Sequence, residues 1–97
     1  MTFKVIALEF FVEQAEKLDS KGKRIVREKI ELIKQNPYRF KRIHSKKFSK
    51  VFRVRLNLRG KESRLVYVVL EPNIILVCLL ERKKNYRDLE KYLSKIP

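Results

Sequence analysis

The stretch "VFRVRLNLRGKESRLVY", residues 51–67, places Arg53, Arg55 and Arg64 on what alternation marks as two strands joined by a turn. Residues two apart on a strand point to the same side, so Arg53 and Arg55 share a face about 7 Å from each other. An ordinary hairpin brings Arg64 from the next strand toward that face. A guanidinium offers paired donors in one plane, and three of them on one patch can clamp a phosphate and neutralise charge that develops on it. Arginine stays protonated far above neutral pH, which suits it to holding an anion rather than to accepting a proton. On an exposed sheet face any one of these arginines reads as solubilising filler. All three beside eight other basic groups do not.

The charge around them is one-sided. Residues 39–64 carry eleven basic side chains (Arg39, Lys41, Arg42, Lys46, Lys47, Lys50, Arg53, Arg55, Arg59, Lys61 and Arg64) against Glu62 alone, which is +10 of the chain's net +14. The segments on either side are mixed in sign and carry +2 each. Mixed signs serve solubility. Concentrated positive charge is what phosphate neutralisation and counterion release require, so nucleic acid is the favoured partner.

Other chemistries have little support. His44 and Cys78 are the only histidine and the only cysteine, which argues against a zinc site or a disulfide scaffold and calls for no cofactor. No nucleophile motif surrounds Ser45, Ser49, Ser63 or Ser94, and the two glycines are isolated, so there is no glycine-rich phosphate loop. His44 alone has an ordinary pKa suited to acid–base work, and it reads equally as a polar loop residue. Cys78, inside "NIILVCLLE", reads as an inert buried thiol.

The elements that must position the arginines follow from periodicity. Ninety-seven residues with 44% hydrophobic content make one domain, residues 1–97, with one modest core. "FKVIALEF" begins as a strand. Phe11, Ala15 and Leu18 mark one face of a first helix, broken at "DSKG". Ile25, Ile30 and Ile33 mark a second helix, with Asp19 or Ser20 as N-cap and "QNP" as its end. "RFKRIHS" is a possible short strand. "KVFRVRLNL" is a clear one, with Phe52, Val54, Leu56 and Leu58 on one side and the arginines on the other. A turn at Gly60 leads to "SRLVYVVL", and "EPN" leads to "IILVCLLE", whose two apolar faces suit a central strand. A last helix over about residues 86–95 carries Tyr86, Leu89, Leu93 and Ile96 as its stripe. The class is α+β, in the order β-α-α-β-β-β(-β)-α, with a two-helix hairpin on a small, mainly antiparallel twisted sheet. No apolar run approaches the ~20 residues of a membrane helix, and the N-terminus lacks signal-peptide features; a cytoplasmic domain that does not enter a membrane is expected.

"NP" after the second helix, then "VFRVRL", "SRLVYVV", an apolar strand and "ERKKNY", resembles the RelE/ParE superfamily of toxins from toxin–antitoxin pairs, over nearly the whole chain. The resemblance, to the RelE-like branch, implies a ribosome-dependent, metal-independent endoribonuclease (an mRNA interferase) that inhibits translation. It implies attack of a 2′-OH on the neighbouring phosphodiester, leaving a 2′,3′-cyclic or 3′-phosphate and a 5′-OH. By position, Arg53 and Arg55 match basic residues for phosphate contact and proton abstraction, and Arg64 matches the arginine that stabilises the transition state. Arg82 matches one near the leaving oxygen. Tyr86 matches an aromatic that stacks on a base, although its place in the helical stripe fits core packing as well. Lys46, Lys47, Lys50, Lys83, Lys84 and Arg87 are candidate nucleic-acid contacts. Both strand positions are often lysine in the family; arginine at both leaves the general base unassigned, with His44 as one candidate. The implied partners are the ribosome, messenger RNA and a small, partly acidic cognate antitoxin, in a toxin–antitoxin heterotetramer in many members. Two other readings stand beside this one: a ParE-like inhibitor of DNA gyrase, and a basic RNA-binding module without enzymatic activity.

Overall fold

A computed structural model of the chain describes residues 2–81 and 88–97. The elements run β1 (Lys4–Ala7), α1 (Glu9–Glu16), α2 (Ser20–Gln35), β2 (Lys41–Ile43), β3 (Val51–Leu58), β4 (Lys61–Leu70), β5 (Asn73–Glu81) and α3 (Leu89–Leu93). They form one five-stranded sheet in the order β1-β5-β4-β3-β2. Strands β2 to β5 are antiparallel neighbours, and β1 is added at the far edge, parallel to β5. This is the expected α+β arrangement, with "RFKRIHS" supplying the short strand β2.

Local chemistry sets the boundaries. The Asp19 carboxylate accepts from the Gly22 N–H at 2.7 Å and so caps α2. A side chain at Gly22 would begin 3.1 Å from that carboxylate and 3.2 Å from Leu18, so a Cβ there would require one of them to give by a few tenths of an ångström. Helix α2 ends at Gln35, before buried Pro37. Strands β3 and β4 are joined by a two-residue turn in which Arg59 has φ 54° and Gly60 φ 74°. Positive φ at both central positions is the turn geometry that matches strand twist. Glycine adopts it freely, whereas arginine does so at a cost.

The sheet is covered on both sides. Phe52, Val54, Leu56, Leu58, Leu65, Tyr67 and Val69 face Phe11, Val26 and Ile33 of the helical hairpin. The buried Tyr67 hydroxyl donates to the Pro37 carbonyl at 2.5 Å, which pins the end of α2 to the sheet. On the opposite side, Val51, Val66, Val68, Val77 and Cys78 lie beneath Leu89 and Leu93 of α3. The C-terminal stripe is therefore used as expected, although the helix is shorter than its sequence pattern. Tyr86 falls outside the described residues. Burial pushes the Cys78 thiol up to about 12, so it is neutral and inert. Among the described residues no helix is long and apolar enough to cross a membrane.

Two irregularities shape β5. Val66 pairs with Cys78 but Tyr67 pairs with Leu76, so Val77 is an extra residue on β5. This bulge resets the alternation: Ile74, Leu76 and then Leu79 face the helices. Strand β1 pairs with β5 only as far as Leu76, which leaves the later residues of β5 without a neighbouring strand on that side. There the Gln14 side chain takes the place of one, donating to the Leu79 carbonyl at 2.8 Å and accepting from the Leu79 N–H at 2.7 Å. Gln14→Ala leaves both groups unpaired and should destabilise the chain by about 2 kcal/mol. A lower urea midpoint with an unchanged slope would report it.

Candidate functional site

The arginines expected to meet do so, on the face that α3 partly covers. Arg55 and Arg64 are direct cross-strand partners, and Arg53 lies two residues before Arg55 on β3. Lys41 of β2 stands directly opposite Arg53. Like charges placed opposite one another weaken a sheet, and here two such pairs sit side by side. None of the described ion pairs uses any of the four: these join Lys34 to Glu31 and Lys61 to Glu81.

Arg55 is exposed and Arg53 half-buried, but Arg64 is only 8% exposed. Its Nε is buried with no hydrogen-bond acceptor among the described residues. A desolvated guanidinium with a free donor, next to a second guanidinium, is a seat for an anion. It suits a planar pair of oxygens such as the non-bridging oxygens of a phosphodiester.

The loop between β2 and β3, residues 44–50, carries the next group of cations. Ser45 Oγ accepts from the Lys47 and Phe48 N–H groups at 3.1 and 3.4 Å. Arg42 closes the other end, its Nε and Nη2 both donating to the Ser49 carbonyl at 2.8 and 2.6 Å. Phe48 anchors the loop in the core beneath α3. Lys46 and Lys47 are left exposed. The Lys46 N–H donates to Glu90 Oε1 of α3 at 3.0 Å. That bond, aided by a hydrogen bond from the Ser45 side chain and by the Lys47 and Lys46 charges, holds the Glu90 carboxyl below its usual range.

Two residues singled out by sequence lie apart from the arginines. Lys50 stands over the Tyr38 ring, 5.6 Å from its centroid, and Tyr38 packs edge-on against Phe52 on the helical-hairpin side of the sheet. His44 is exposed beyond the end of β2, in a cleft lined by Arg42, Ile43, Ser45, Phe48 and Ser49. Because Ile43 pairs with Val51, His44 lies roughly 10 Å along the strand direction from Arg53, and farther from Arg55. Arg82, Lys83, Lys84, Tyr86 and Arg87 lie outside the described residues. Sequence reasoning counted Lys41 as charge without placing it, and passed over Glu90. The alternation of Lys41 with Ile43 was the available signal for the first; only the fold supplies the second.

No family model matches the chain, and no curated protein does. Solved structures do. The chain superposes on the free state of a mutant of the Escherichia coli toxin RelE with a TM-score of 0.73 at 18% identity, covering 100% of each chain. It is also similar to a chain of the intact E. coli RelBE toxin–antitoxin complex, with a TM-score of 0.62 at 19% identity over 82% of this chain and 95% of that one. A chain of the RelBE2 toxin–antitoxin complex of Mycobacterium tuberculosis gives 0.64 at 17% identity, over 84% and 100%. The fold is that of the RelE toxins.

If Arg64 is held for an anion, its charge is a burden in the free chain. Arg64→Met should raise the unfolding free energy by about 1 kcal/mol, because an apolar residue of similar length replaces a buried cation whose Nε has no partner among the described residues. Millimolar inorganic phosphate should raise the melting temperature of the parent more than that of the variant.

Proposed function

We propose that the chain is the toxin of a toxin–antitoxin pair, an endoribonuclease that cleaves messenger RNA on the ribosome. The buried Arg64 guanidinium, its Nε without a partner among the described residues, beside Arg55, carries this reading. In the proposed reaction the 2′-oxygen attacks the adjacent phosphorus while its proton leaves to a base. The bond to the 5′-oxygen breaks, and that oxygen gains a proton. The products are a 2′,3′-cyclic phosphate and a 5′-OH. Negative charge on the non-bridging oxygens grows toward the transition state, so fixed cations stabilise that state more than the substrate. Arg64 and Arg55 fill this role, with Arg53 and Lys41 holding the flanking backbone. Arg64 needs little reorganisation, since the strand on either side of it is packed on both faces.

From the family resemblance, Arg82 protonates or stabilises the leaving oxygen, and Tyr86 stacks on a base. Lys83, Lys84 and Arg87, with Lys46 and Lys47, contact RNA of the message or ribosome. The proton acceptor is a group outside the Arg55–Arg64 pair, consistent with arginine's inability to act as a base.

A cognate antitoxin has a surface to meet. The outer edge of β1 is unpaired, and Ile6 and Val12 beside it are 45% and 38% exposed. An apolar groove of about 360 Å³ between α1 and α2 is lined by Ala7, Phe11, Val12, Ala15, Val26 and Ile30. Lys23, Arg27 and Glu16 stand at its rim, a mixed but net basic border that suits a partly acidic partner adding a strand or a helix.

Primer extension on messages from translating cells tests the enzyme. Codon-phased cuts are expected with the parent chain, falling at least ~100-fold with Arg64→Ala, Arg55→Ala or Arg82→Ala. Growth arrest with intact messages would overturn this reading in favour of gyrase inhibition. Neither arrest nor cleavage would leave a basic RNA-binding module.

A further inference from the structure

The Ser45–Phe48 loop has the construction of an anion site, and in this structure an anion from the chain itself sits on it. The loop is shaped from within by Ser45 Oγ and by Arg42. Once Ser45 has taken the Lys47 and Phe48 N–H groups, the Lys46 N–H is left pointing outward between two exposed lysines. The group it meets is the carboxylate of Glu90, 44 residues away in sequence. An amide donor flanked by ammonium groups is a general recognition element for phosphate oxygens.

Glu90 fits the site incompletely. One oxygen holds the Lys46 N–H, while Oε2 is buried without a hydrogen-bond partner among the described residues. The helix that delivers it spans only Leu89–Leu93, far below the length at which a helix is stable by itself. Leu89 and Leu93 against the sheet and the Tyr92 ring stacked on Phe10 hold it in place, and the Glu90 carboxylate adds its contact to the loop. An oligonucleotide would bring a charged phosphate to the same donor and gain both lysines. The loop leads into β3, with Arg55 about 13 Å beyond Val51, so it would address a different phosphate from the one at Arg64.

We propose that the Ser45–Phe48 loop binds a backbone phosphate of RNA, and that the Glu90 carboxylate is an internal competitor that occupies this site until RNA displaces it. The inference rests on RNA being the ligand, and it does not depend on cleavage.

A noncleavable 2′-O-methyl oligouridine, titrated into the purified chain and followed by fluorescence anisotropy, tests it. Glu90→Gln should tighten binding about fivefold, the effect of relieving one charge contact near the surface. Lys46→Ala should cancel the gain. Glu28→Gln, which removes a carboxylate from the exposed side of α2, controls for net charge and should change the affinity less than twofold. Binding by Glu90→Gln that is unchanged or weaker, or a gain matched by Glu28→Gln, overturns the proposal. Should Glu90→Gln fail to fold, carbon NMR of the parent chain decides: the oligonucleotide should move the Glu90 carboxyl titration up toward the ordinary glutamate range, and an unchanged titration overturns competition. Binding in that assay without any cleavage of messages would remove the nuclease and leave this inference standing. No binding by any variant would remove both.

Discussion

Two-sided burial of β4 is the constraint on which the rest of the structure depends. This strand lies between β3 and β5, and its seven consecutive residues from Ser63 to Val69 are all buried. A sheet whose middle strand is dry on both sides needs a cover on each. The helical hairpin supplies one and α3 the other. Five of the seven residues are apolar and contribute about 1.5–3 kcal/mol each for large side chains. That gain lets the strand tolerate Arg64, whose desolvation alone would cost several kcal/mol. A cation held there is rigid and largely dry, and electrostatic stabilisation acts most strongly under those conditions.

The same preference for function over stability recurs around the sheet. Lys41 faces Arg53 and Arg55 faces Arg64, although opposite or neutral partners would pair better. Arg59 occupies a left-handed turn position where asparagine or glycine would be easier. A single misplacement of charge would mean little. Repeated on one segment, it describes a surface whose counterions are expected from outside the chain.

Much of this was legible before the coordinates. The alternation of β3 put Phe52, Val54, Leu56 and Leu58 on one side and the arginines on the other, because a strand's side-chain period is exact whatever it packs on. The cap at Asp19 and the stop before Pro37 were legible because they are local chemistry. Strand β5 was not: apolar on both faces, it contains nothing that would reveal which residue is the extra one at Val77. Nor does Gln14 announce that it stands in for a strand beside Leu79, since that pairing joins residues 65 apart.

The candidate site divides along the same line. Sequence by itself determined that the chain is strongly basic in one segment, that Arg53 and Arg55 share a face, and that the order of elements is β-α-α, then three or four strands, then α. These follow from composition and short-range periodicity, which hold in any folded context. Tertiary structure alone decided that Arg64 meets Arg55 rather than solvent, that Lys41 completes the row, that Lys50 turns to the other side of the sheet, and that Glu90 reaches the Lys46 amide. Each of these depends on register or on contacts across long stretches of chain, and register is chosen by the burial of whole faces rather than by any one residue.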